Sequence, residues 1–437
     1  MRRDSVGAVE EAWRPGEEAP GGPGYGDEPV SPLEVPPATV GMDPEGLARV
    51  DSLIRAVLAD SASPGAALAV GRHGTLVRLR GYGRLDWDTG AHPATPVSIW
   101  DMASVTKVAT TTTAAMILAE AARLDLDAPV VRYLPWWSAG DARKEEVTVR
   151  QLLLHRGGLP PFVRFYQEVE GREAFQEAIG ALPLEYAPGD STVYSDIGIM
   201  TVAFVVEEIT GMGLDDFMAA RVWEPLGMQD TGFRPDSVLL PRIAPTEVDE
   251  TFRFTHVHGV VHDENAWAMG GVAGHAGLFS SARDLAVFAQ MLLNGGGVGA
   301  CLPPSPSAPE RRPGGGSASA TMVPCSGPRP GPVRIAAPTS VDLFTRRHDE
   351  TASRALGWDT PAPGSSAGDY LTARAFGHTG FTGTSLWVDP ELDLFVVLLT
   401  SRTNPTRENR RHVPLRRAVH DAVARAIVDQ EVRKRSW

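Results

Sequence analysis

The strand-like runs of this chain lie near its two ends, and a long, mostly helical block separates them. Residues 65–71 and 75–83 (GAALAVG and TLVRLRGYG) predict a hairpin around a turn at 72–74. Strand patterns return only at 384–390 (TSLWVDP) and 392–400 (LDLFVVLLT). Because strands and helices do not alternate, a doubly wound parallel sheet is disfavoured. The order predicts an α+β fold, in which an antiparallel sheet carries an inserted helical lobe.

Amphipathic helices are predicted beside both strand-rich parts. The first covers 43–59, with Asp43 as its N-cap, and the last covers about 414–432. Their apolar faces consist of Leu47, Val50, Ile54, Val57 and Leu58 in the first, and Leu415, Val419, Val423 and Ile427 in the second. Inside the helical block, Ser281 and Asp284 predict a capping box at the start of another helix.

Two segments lack the apolar pattern of a folded core. Residues 1–41 contain seven prolines and predict a disordered tail, and 298–333, rich in Pro, Gly and Ser, predict a disordered surface insertion. Cys301 and Cys325 both fall in this insertion and indicate neither a disulfide framework nor a metal site, although they could pair with each other. The remainder, 42–437, is predicted to be a single domain. Its lobes are a sheet lobe of about 42–97 and 334–437 and a helical lobe of about 98–297.

The charge balance and the apolar runs exclude two classes of partner. With 41 Lys and Arg against 54 Asp and Glu, the formal net charge is −13, and no basic cluster is available to neutralise phosphates. No stretch approaches the roughly 20 apolar residues that span a bilayer, and no signal peptide is evident. We therefore expect a cytoplasmic protein that binds neither nucleic acid nor membranes.

Lysine is rare in this chain, and one lysine has a suggestive neighbour. Only three of the 41 basic residues are lysines, and Lys107 follows Ser104 by three positions in SIWDMASVTKVATTTT (98–113). Residues three apart on a helix share a face, so the hydroxyl and the amine can touch. A serine needs a base before it becomes a good nucleophile, and a buried lysine can lose its proton whereas arginine cannot. The spacing therefore indicates a nucleophile, Ser104, beside its base, Lys107.

Two further motifs follow in order. Tyr194 and Asp196 lie in VYSDIGIM, and His378, Thr379 and Gly380 lie in FGHTGFTGTSLWVDP. With the Ser-x-x-Lys motif, this arrangement resembles the three motifs of penicillin-recognising serine hydrolases, in the branch of class C β-lactamases, DD-peptidases and β-lactamase-like esterases. LLLHRGGLP and YAPGDSTVYSDIG match secondary motifs of that group. The resemblance covers about 42–430 without the insertion, and implies a β-lactamase/transpeptidase-like fold.

The resemblance also implies roles for the matched residues and needs no cofactor or metal. Ser104 would form an acyl-enzyme, with Lys107 and Tyr194 handling the proton. The backbone N–H groups of Ser104 and Phe381 would bind the oxyanion. Gly380 would allow a substrate to approach the strand closely.

Two departures from the family pattern concern charge. Asp196 replaces the usual asparagine, which favours a charged Lys107 and shifts the expected base role to Tyr194, whose pKa the ammonium could lower. His378 replaces a lysine and weakens the positive charge that would meet a substrate carboxylate. We therefore expect a less cationic pocket.

The expected function is that of a β-lactamase-like carboxylesterase acting on a neutral ester. The alternatives within the enzyme class are a β-lactamase and a DD-carboxypeptidase, so the expected partners are small esters, lactams or peptides. The alternative from another class is a penicillin-binding or sensor protein that is acylated without turnover, or never reacts.

Other features are better explained without catalysis. GSSAG around Ser366 matches Gly-x-Ser-x-Gly but lacks the strand and helix that this motif needs, so a loop is expected. Trp136 and Trp137 are interpreted as core residues of the helical lobe. A polar loop, with His262 and Asp263 hydrogen-bonded, is expected rather than zinc ligands at three histidines. These histidines are His256, His258 and His262.

Overall fold

The helices and strands follow the order that the sequence predicts, with many short additions. The computed structural model describes residues 33–298, 333–349 and 352–437. The strands are β1 (Gly65–Arg72), β2 (Thr75–Gly83), β3 (Ile99–Asp101), β4 (Gly232–Phe233), β5 (Val248–Asp249), β6 (Thr255–His256), β7 (Leu278–Ser281), β8 (Gly297–Val298), β9 (Val333–Arg334), β10 (Phe376–Thr379), β11 (Ser385–Asp389) and β12 (Leu394–Thr400). The α-helices are α1 (Pro44–Ala59), α2 (Thr113–Glu120), α3 (Val149–Leu153), α4 (Arg172–Ala181), α5 (Asp196–Thr210), α6 (Leu214–Met218), α7 (Glu224–Leu226), α8 (Glu264–Ala268), α9 (Ala282–Leu293), α10 (Pro338–Thr345) and α11 (Val413–Arg425).

The two strand-rich ends of the chain pair with each other in one five-stranded sheet. Its order is β10-β11-β12-β1-β2, and every neighbouring pair is antiparallel. The central pairing joins the first hairpin to the last strand, with Ala66 opposite Thr400 and Arg72 opposite Leu394. The predicted α+β class with an antiparallel sheet is therefore confirmed.

Side chains alternate across this sheet and bury two separate cores. On one face, Leu68 and Val396 pack with α1 and α11. On the other face, Ala67 and Val397 pack with α9 and the helical lobe. The sheet is thus covered on both sides, and the catalytic candidates lie on the side of the helical lobe.

The predicted last helix is too long. α11 ends at Arg425 rather than near 432, because the following backbone pairs with the segment before α1. Asp43 N–H donates to Ala426 O at 2.7 Å, and Val428 N–H donates to Gly41 O at 2.9 Å. Ile427 is still buried in the same core, so the apolar spacing predicted its burial, but the predicted helical backbone at this residue is wrong.

The helical block also contains strands that the sequence did not predict. β3, β7 and β4 form a small three-stranded sheet, whose strands of two to four residues are too short to show alternation. Ser281 caps α9 by accepting the N–H of Asp284 at 3.2 Å. The predicted reciprocal bond is absent, since the Asp284 carboxylate instead accepts from Asp230 N–H and the Thr231 hydroxyl. The prediction of a capping box is therefore right for the Ser281 bond and wrong for the reciprocal one.

The amino-terminal segment is ordered further upstream than expected. The predicted tail 1–41 lies outside the described residues up to 32, but residues 33–41 are packed on the sheet. Glu34 accepts from Leu79 N–H at 2.8 Å and pairs with Arg80 at 3.1 Å. The predicted insertion lies almost entirely outside the described residues, as do Cys301 and Cys325.

α5 is the central helix of the helical lobe, and it begins at a candidate site residue. Ser195 is its N-cap, and Ile197 to Val206 are buried throughout. Among the described residues, no single helix is long and apolar enough to cross a membrane. α5 followed by the stretch Leu214–Leu226 meets that length and composition only as a pair bent by 74°.

Candidate active site

Ser104 occupies the tight turn between β3 and the helix that follows. Ala103, directly before it, has a positive φ of 44°, which residues other than glycine rarely adopt. Residues Lys107–Thr112 then wind as a π-helix that continues into α2. This turn brings Lys107 Nζ to 2.8 Å from Ser104 Oγ, the contact that the spacing predicted.

Lys107 is fully buried and its charge is compensated. Besides Ser104 Oγ, Nζ lies 3.1 Å from His275 O and 2.7 Å from Asp196 Oδ1. The amine thus has two hydrogen-bond acceptors and one ion-pair partner. Burial lowers the pKa of Lys107, but Asp196 and Tyr194 together outweigh it, so this pKa is raised. The lysine is therefore charged at rest, as the aspartate at 196 led us to expect.

Tyr194 lies beside the other two candidates. Its ring centre lies 5.0 Å from Lys107 Nζ, and both Lys107 and Ser104 act to lower the pKa of its hydroxyl. Burial raises the pKa of Tyr194, and the lysine lowers it by less, so the net direction is upward. Lys107 does lower the pKa of Tyr194, as the sequence led us to expect, but burial outweighs this influence. At rest, the site therefore holds a neutral phenol beside an ion pair.

His155 supports Tyr194, and sequence reasoning gave it no role. Its ring centre lies 4.7 Å from that of the tyrosine, and its Nδ1 accepts Ser195 N–H at 3.1 Å. Burial lowers the pKa of His155 well below its ordinary value, so the ring is neutral. The LLLHRGGLP segment was a usable signal for this position, because it resembles a family segment containing histidine.

β10 forms the opposite wall, and its His378 carries no charge. Nδ1 donates to Thr379 O at 2.9 Å, while burial, Lys107 and Arg354 hold the pKa of His378 well below its usual range. His378 therefore supplies no fixed positive charge, as predicted.

The packing of the protein itself requires glycine at position 380. A Cβ there would lie 2.4 Å from Met102 O and 2.2 Å from Thr384 Oγ1, so the glycine lets the chain after β10 pack against the turn that carries Ser104. The next residue, Phe381, is 49% exposed and faces the cavity. Among the described residues, neither Ser104 N–H nor Phe381 N–H donates to a protein acceptor. Both amides are therefore free to bind a substrate oxygen.

The cavity beside these groups has a volume of about 550 Å³. Its lining comprises Ser104, Tyr194, Arg354, Asp359, His378, Thr379, Gly380, Phe381, Arg402, Arg407, Glu408, Arg410, His412, Val413 and Arg416. Five arginines and two carboxylates make this lining cationic, a contribution that the two departures from the family pattern did not indicate. The arginines come from segments without a recognisable motif, and only folding brings them to the site.

The arginines of the cavity differ in their pairing. Arg354 pairs with Asp359 at 3.2 Å, and Arg407 pairs with Glu247 and Glu264.

Within the described part of the chain, Arg402, Arg410 and Arg416 have no carboxylate partner within ion-pair distance. Arg416 donates to Gly380 O, and burial lowers its pKa to about 9. Arg402 Nε donates to Phe381 O at 2.6 Å. Positive charge is thus concentrated next to β10.

The remaining sequence candidates are structural. His262 Nε2 lies 3.0 Å from Glu247 Oε2, and Asp263 pairs with His275 at 2.9 Å, as the hydrogen-bonded loop predicted. In the described ranges, no group of three or more His, Cys, Asp and Glu side chains is arranged to hold a metal ion. Ser366 accepts Trp387 Nε1–H at 3.1 Å in a loop. Trp136 and Trp137 pack in the core of the helical lobe.

Comparisons with known proteins match nearly the whole chain. Residues 50–421 match the family model described as Beta-lactamase. A Salmonella schwarzengrund protein named "Putative D-alanyl-D-alanine carboxypeptidase" is 32% identical over 399 residues, which cover 84% of this chain and 85% of that protein.

Solved structures share the fold at lower identity. A class C beta lactamase from Rhodobacter sphaeroides superposes with a TM-score of 0.60 at 19% identity, covering 85% of this chain and 99% of that one. A family VIII carboxylesterase superposes with a TM-score of 0.62 at 19% identity, covering 88% and 99%. These two likenesses concern the fold alone.

Proposed function

The chain belongs to the beta-lactamase family and is a hydrolase of the serine beta-lactamase fold, and from that premise we propose that it cleaves acyl substrates through an acyl-enzyme on Ser104. One observation carries the proposal. A buried lysine amine lies 2.8 Å from the serine hydroxyl and 2.7 Å from a carboxylate, Asp196. A nucleophile within hydrogen-bonding distance of a base that a third group orients is the arrangement that covalent catalysis needs.

The charged state of Lys107 determines how the serine proton can leave. An ammonium cannot accept a proton unless it passes one on, and Asp196 is the acceptor in contact with it. In this mechanism, Lys107 gives a proton to Asp196 as it takes the proton of Ser104, and Ser104 Oγ bonds to the substrate carbonyl carbon. Asp196, the unusual residue of the motif, is then the site where the proton rests.

The same groups can return the proton to the leaving group. The bond from the carbonyl carbon to the leaving atom breaks as Tyr194 protonates that atom. Tyr194 regains a proton from Lys107, and Lys107 regains one from Asp196. The amides of Ser104 and Phe381 stabilise the oxyanion in both acylation and deacylation. Water then replaces the leaving group and attacks the ester by the reverse proton path.

The arginines of the cavity support a substrate that carries a negative group. Arg402 and Arg416 have no carboxylate partner among the described residues, and both contact the backbone of the Gly380–Phe381 segment. A guanidinium in a partly desolvated cavity binds a carboxylate through charge-assisted hydrogen bonds. This favours a peptide or lactam carboxylate over a neutral ester, in line with the name of the relatives at 32% identity.

A neutral ester is the second candidate, and one observation favours it. His378, at the position where the family pattern usually has lysine, is uncharged. The charge of Lys107 is offset by Asp196, so the catalytic side of the cavity is close to neutral. An ester without an acid group would fit that side.

The first experiment tests the nucleophile. We expect Ser104→Ala to abolish hydrolysis of p-nitrophenyl butyrate and labelling by a fluorophosphonate probe, because it removes the attacking oxygen. Unaltered turnover by this variant would exclude the assigned nucleophile. A lasting adduct on Ser104 of the wild-type protein without turnover would favour an acylated sensor, and no adduct would favour a non-catalytic protein.

The second experiment tests the substrate class. Arg416→Ala should lower kcat/KM for a D-alanyl-D-alanine peptide or nitrocefin by about 10-fold to 100-fold, the worth of a charge-assisted hydrogen bond. The value of kcat/KM for the neutral ester should fall much less. Arg433→Ala is the matched control, because Arg433 is a surface arginine paired with Glu431. Equal losses for charged and neutral substrates would contradict anion binding by Arg416.

A further inference from the structure

Asp101 ends β3 three residues before Ser104, and its buried side chain serves two parts of the site. The residue is 2% exposed. Oδ1 accepts Ala103 N–H at 2.7 Å, and Oδ2 accepts His262 N–H at 2.7 Å. Both carboxylate oxygens are therefore used by backbone donors from different segments.

The first of these bonds stabilises the strained turn. Ala103 has a φ of 44°, in the left-handed region, and a bond from Asp101 to the N–H two residues ahead is the Asx turn that favours such a conformation. Ser104 follows directly, so the direction of its Oγ and N–H depends on the conformation of Ala103.

Other contacts join this turn to the segment after β10. Thr382 Oγ1 donates to Asp101 O at 2.7 Å, and Thr384 Oγ1 donates to Met102 O at 3.0 Å. The His262 ring, whose backbone N–H binds Asp101, stacks on Phe381 with ring centres 5.7 Å apart. Asp101 thus lies where the segments carrying Ser104 N–H and Phe381 N–H meet.

We propose that Asp101 is a positioning residue that holds the Ser104 turn in register with the Phe381 segment. This inference rests on the proposed acyl-enzyme function. Two oxyanion donors and a nucleophile must converge on one carbonyl group, and a misplacement of about 1 Å costs roughly 100-fold in rate. Asp101 touches no reacting atom and acts through Ala103, Thr382 and His262.

The test is Asp101→Asn, which keeps the shape of the side chain. Its NH₂ group must face one of the two backbone N–H donors, so one hydrogen bond is lost and two donors oppose each other. We expect kcat to fall by about 100-fold with little change in KM, after normalisation to sites titrated with a fluorophosphonate. The pH profile of kcat/KM should keep its shape, because Lys107, Tyr194 and Asp196 are unchanged.

Asp284→Asn is the matched control for burying an amide in place of a carboxylate. Asp284 is also buried, but both of its acceptor bonds use Oδ2, so an asparagine oxygen can keep both. This variant should retain the wild-type kcat. Thr382→Val is a milder second variant that removes only the bond to Asp101 O and should lower kcat in the same direction. In the double variant Asp101→Asn/Thr382→Val, the loss of kcat, expressed as a free energy, should be smaller than the sum of the two single losses, since both changes act on one turn.

The outcomes separate this inference from the proposed function. A wild-type protein that the probe does not label at Ser104 would overturn both. A labelled wild type, with Asp101→Asn equally fast per titrated site, would overturn the positioning role alone. A loss confined to KM would also overturn it, because the proposed role concerns the transition state.

Discussion

Asp196 has the largest part in keeping the lysine of this site charged. Together with Tyr194 it outweighs the burial of Lys107, so an unassisted lysine base is not available at rest. In the proposed mechanism, the proton path therefore ends on a carboxylate. This residue was visible in the sequence as a departure from the family pattern, but its distance from Lys107 was not.

We predict that Asp196→Asn changes the pH dependence of the reaction. Removing the carboxylate removes the largest influence that raises the pKa of Lys107, so burial then lowers this pKa. Lys107 must itself lose a proton to act as the base, and the acid limb of kcat/KM should move to higher pH. Near pH 7 we expect a loss of about 100-fold, typical of general base catalysis.

The measurement is a pH profile of kcat/KM with p-nitrophenyl butyrate. Asp127→Asn is the matched control, because Asp127 is an exposed residue paired with Arg150 on the surface. An acid limb that stays in place in Asp196→Asn would show that Asp196 does not accept the proton.

At the scale of elements, buried polar groups at the ends of helices and strands decide how the pieces fit. Asp284 in the first turn of α9 is an example, because it binds the segment before β4 rather than its own cap. Burial and the nearby Asp230 raise the pKa of Asp284 to about 7. Its protonation is therefore linked to folding.

We predict that the Asp284 carboxyl makes the protein less stable as the pH rises from about 4 to 7. In that range, the folded protein holds this proton and the unfolded chain does not, so stability falls with pH and levels off above about 7. The full effect is up to about 4 kcal/mol. The free energy of unfolding is measured with urea at pH 5 and pH 8. Relative to the wild type, that of Asp284→Asn should be higher at pH 8 than at pH 5. A difference between the two proteins that is the same at both pH values would contradict this.

At the scale of the whole molecule, the chain closes on itself through the sheet. The first hairpin pairs with the last strand, and α1 packs against α11. Arg72 joins these parts, since its buried guanidinium binds Leu392 O and Gly41 O at 3.2 Å each and pairs with Asp429 at 2.8 Å.

We predict that Arg72→Met lowers the free energy of unfolding by about 2–4 kcal/mol, because buried carbonyl groups lose their donor. Activity per titrated site should be unchanged, since Arg72 contacts none of the groups around Ser104. Arg433→Met on the surface is the control. Chemical denaturation and active-site titration measure the two effects. Wild-type stability in Arg72→Met would contradict the bridging role.

The sequence by itself determined the fold class and the pairing of Ser104 with Lys107. Both depend on local rules: alternation along strands, apolar spacing along helices, and the proximity of residues three apart. The same local information failed at the end of α11 and at the short strands of the helical lobe. There, pairing with distant backbone outweighs local propensity.

The sequence indicated a charged Lys107 and a weakened positive charge at 378, but only the tertiary structure decided the raised pKa of Tyr194 and the arginines of the cavity. The raised pKa values of Lys107 and Tyr194 and the neutral His378 follow from burial and from distances between remote segments. The arginines around the cavity, such as Arg354 and Arg416, also reach it only through folding. Electrostatic energies depend on separation and on exclusion of water, and neither is written in the order of residues along the chain.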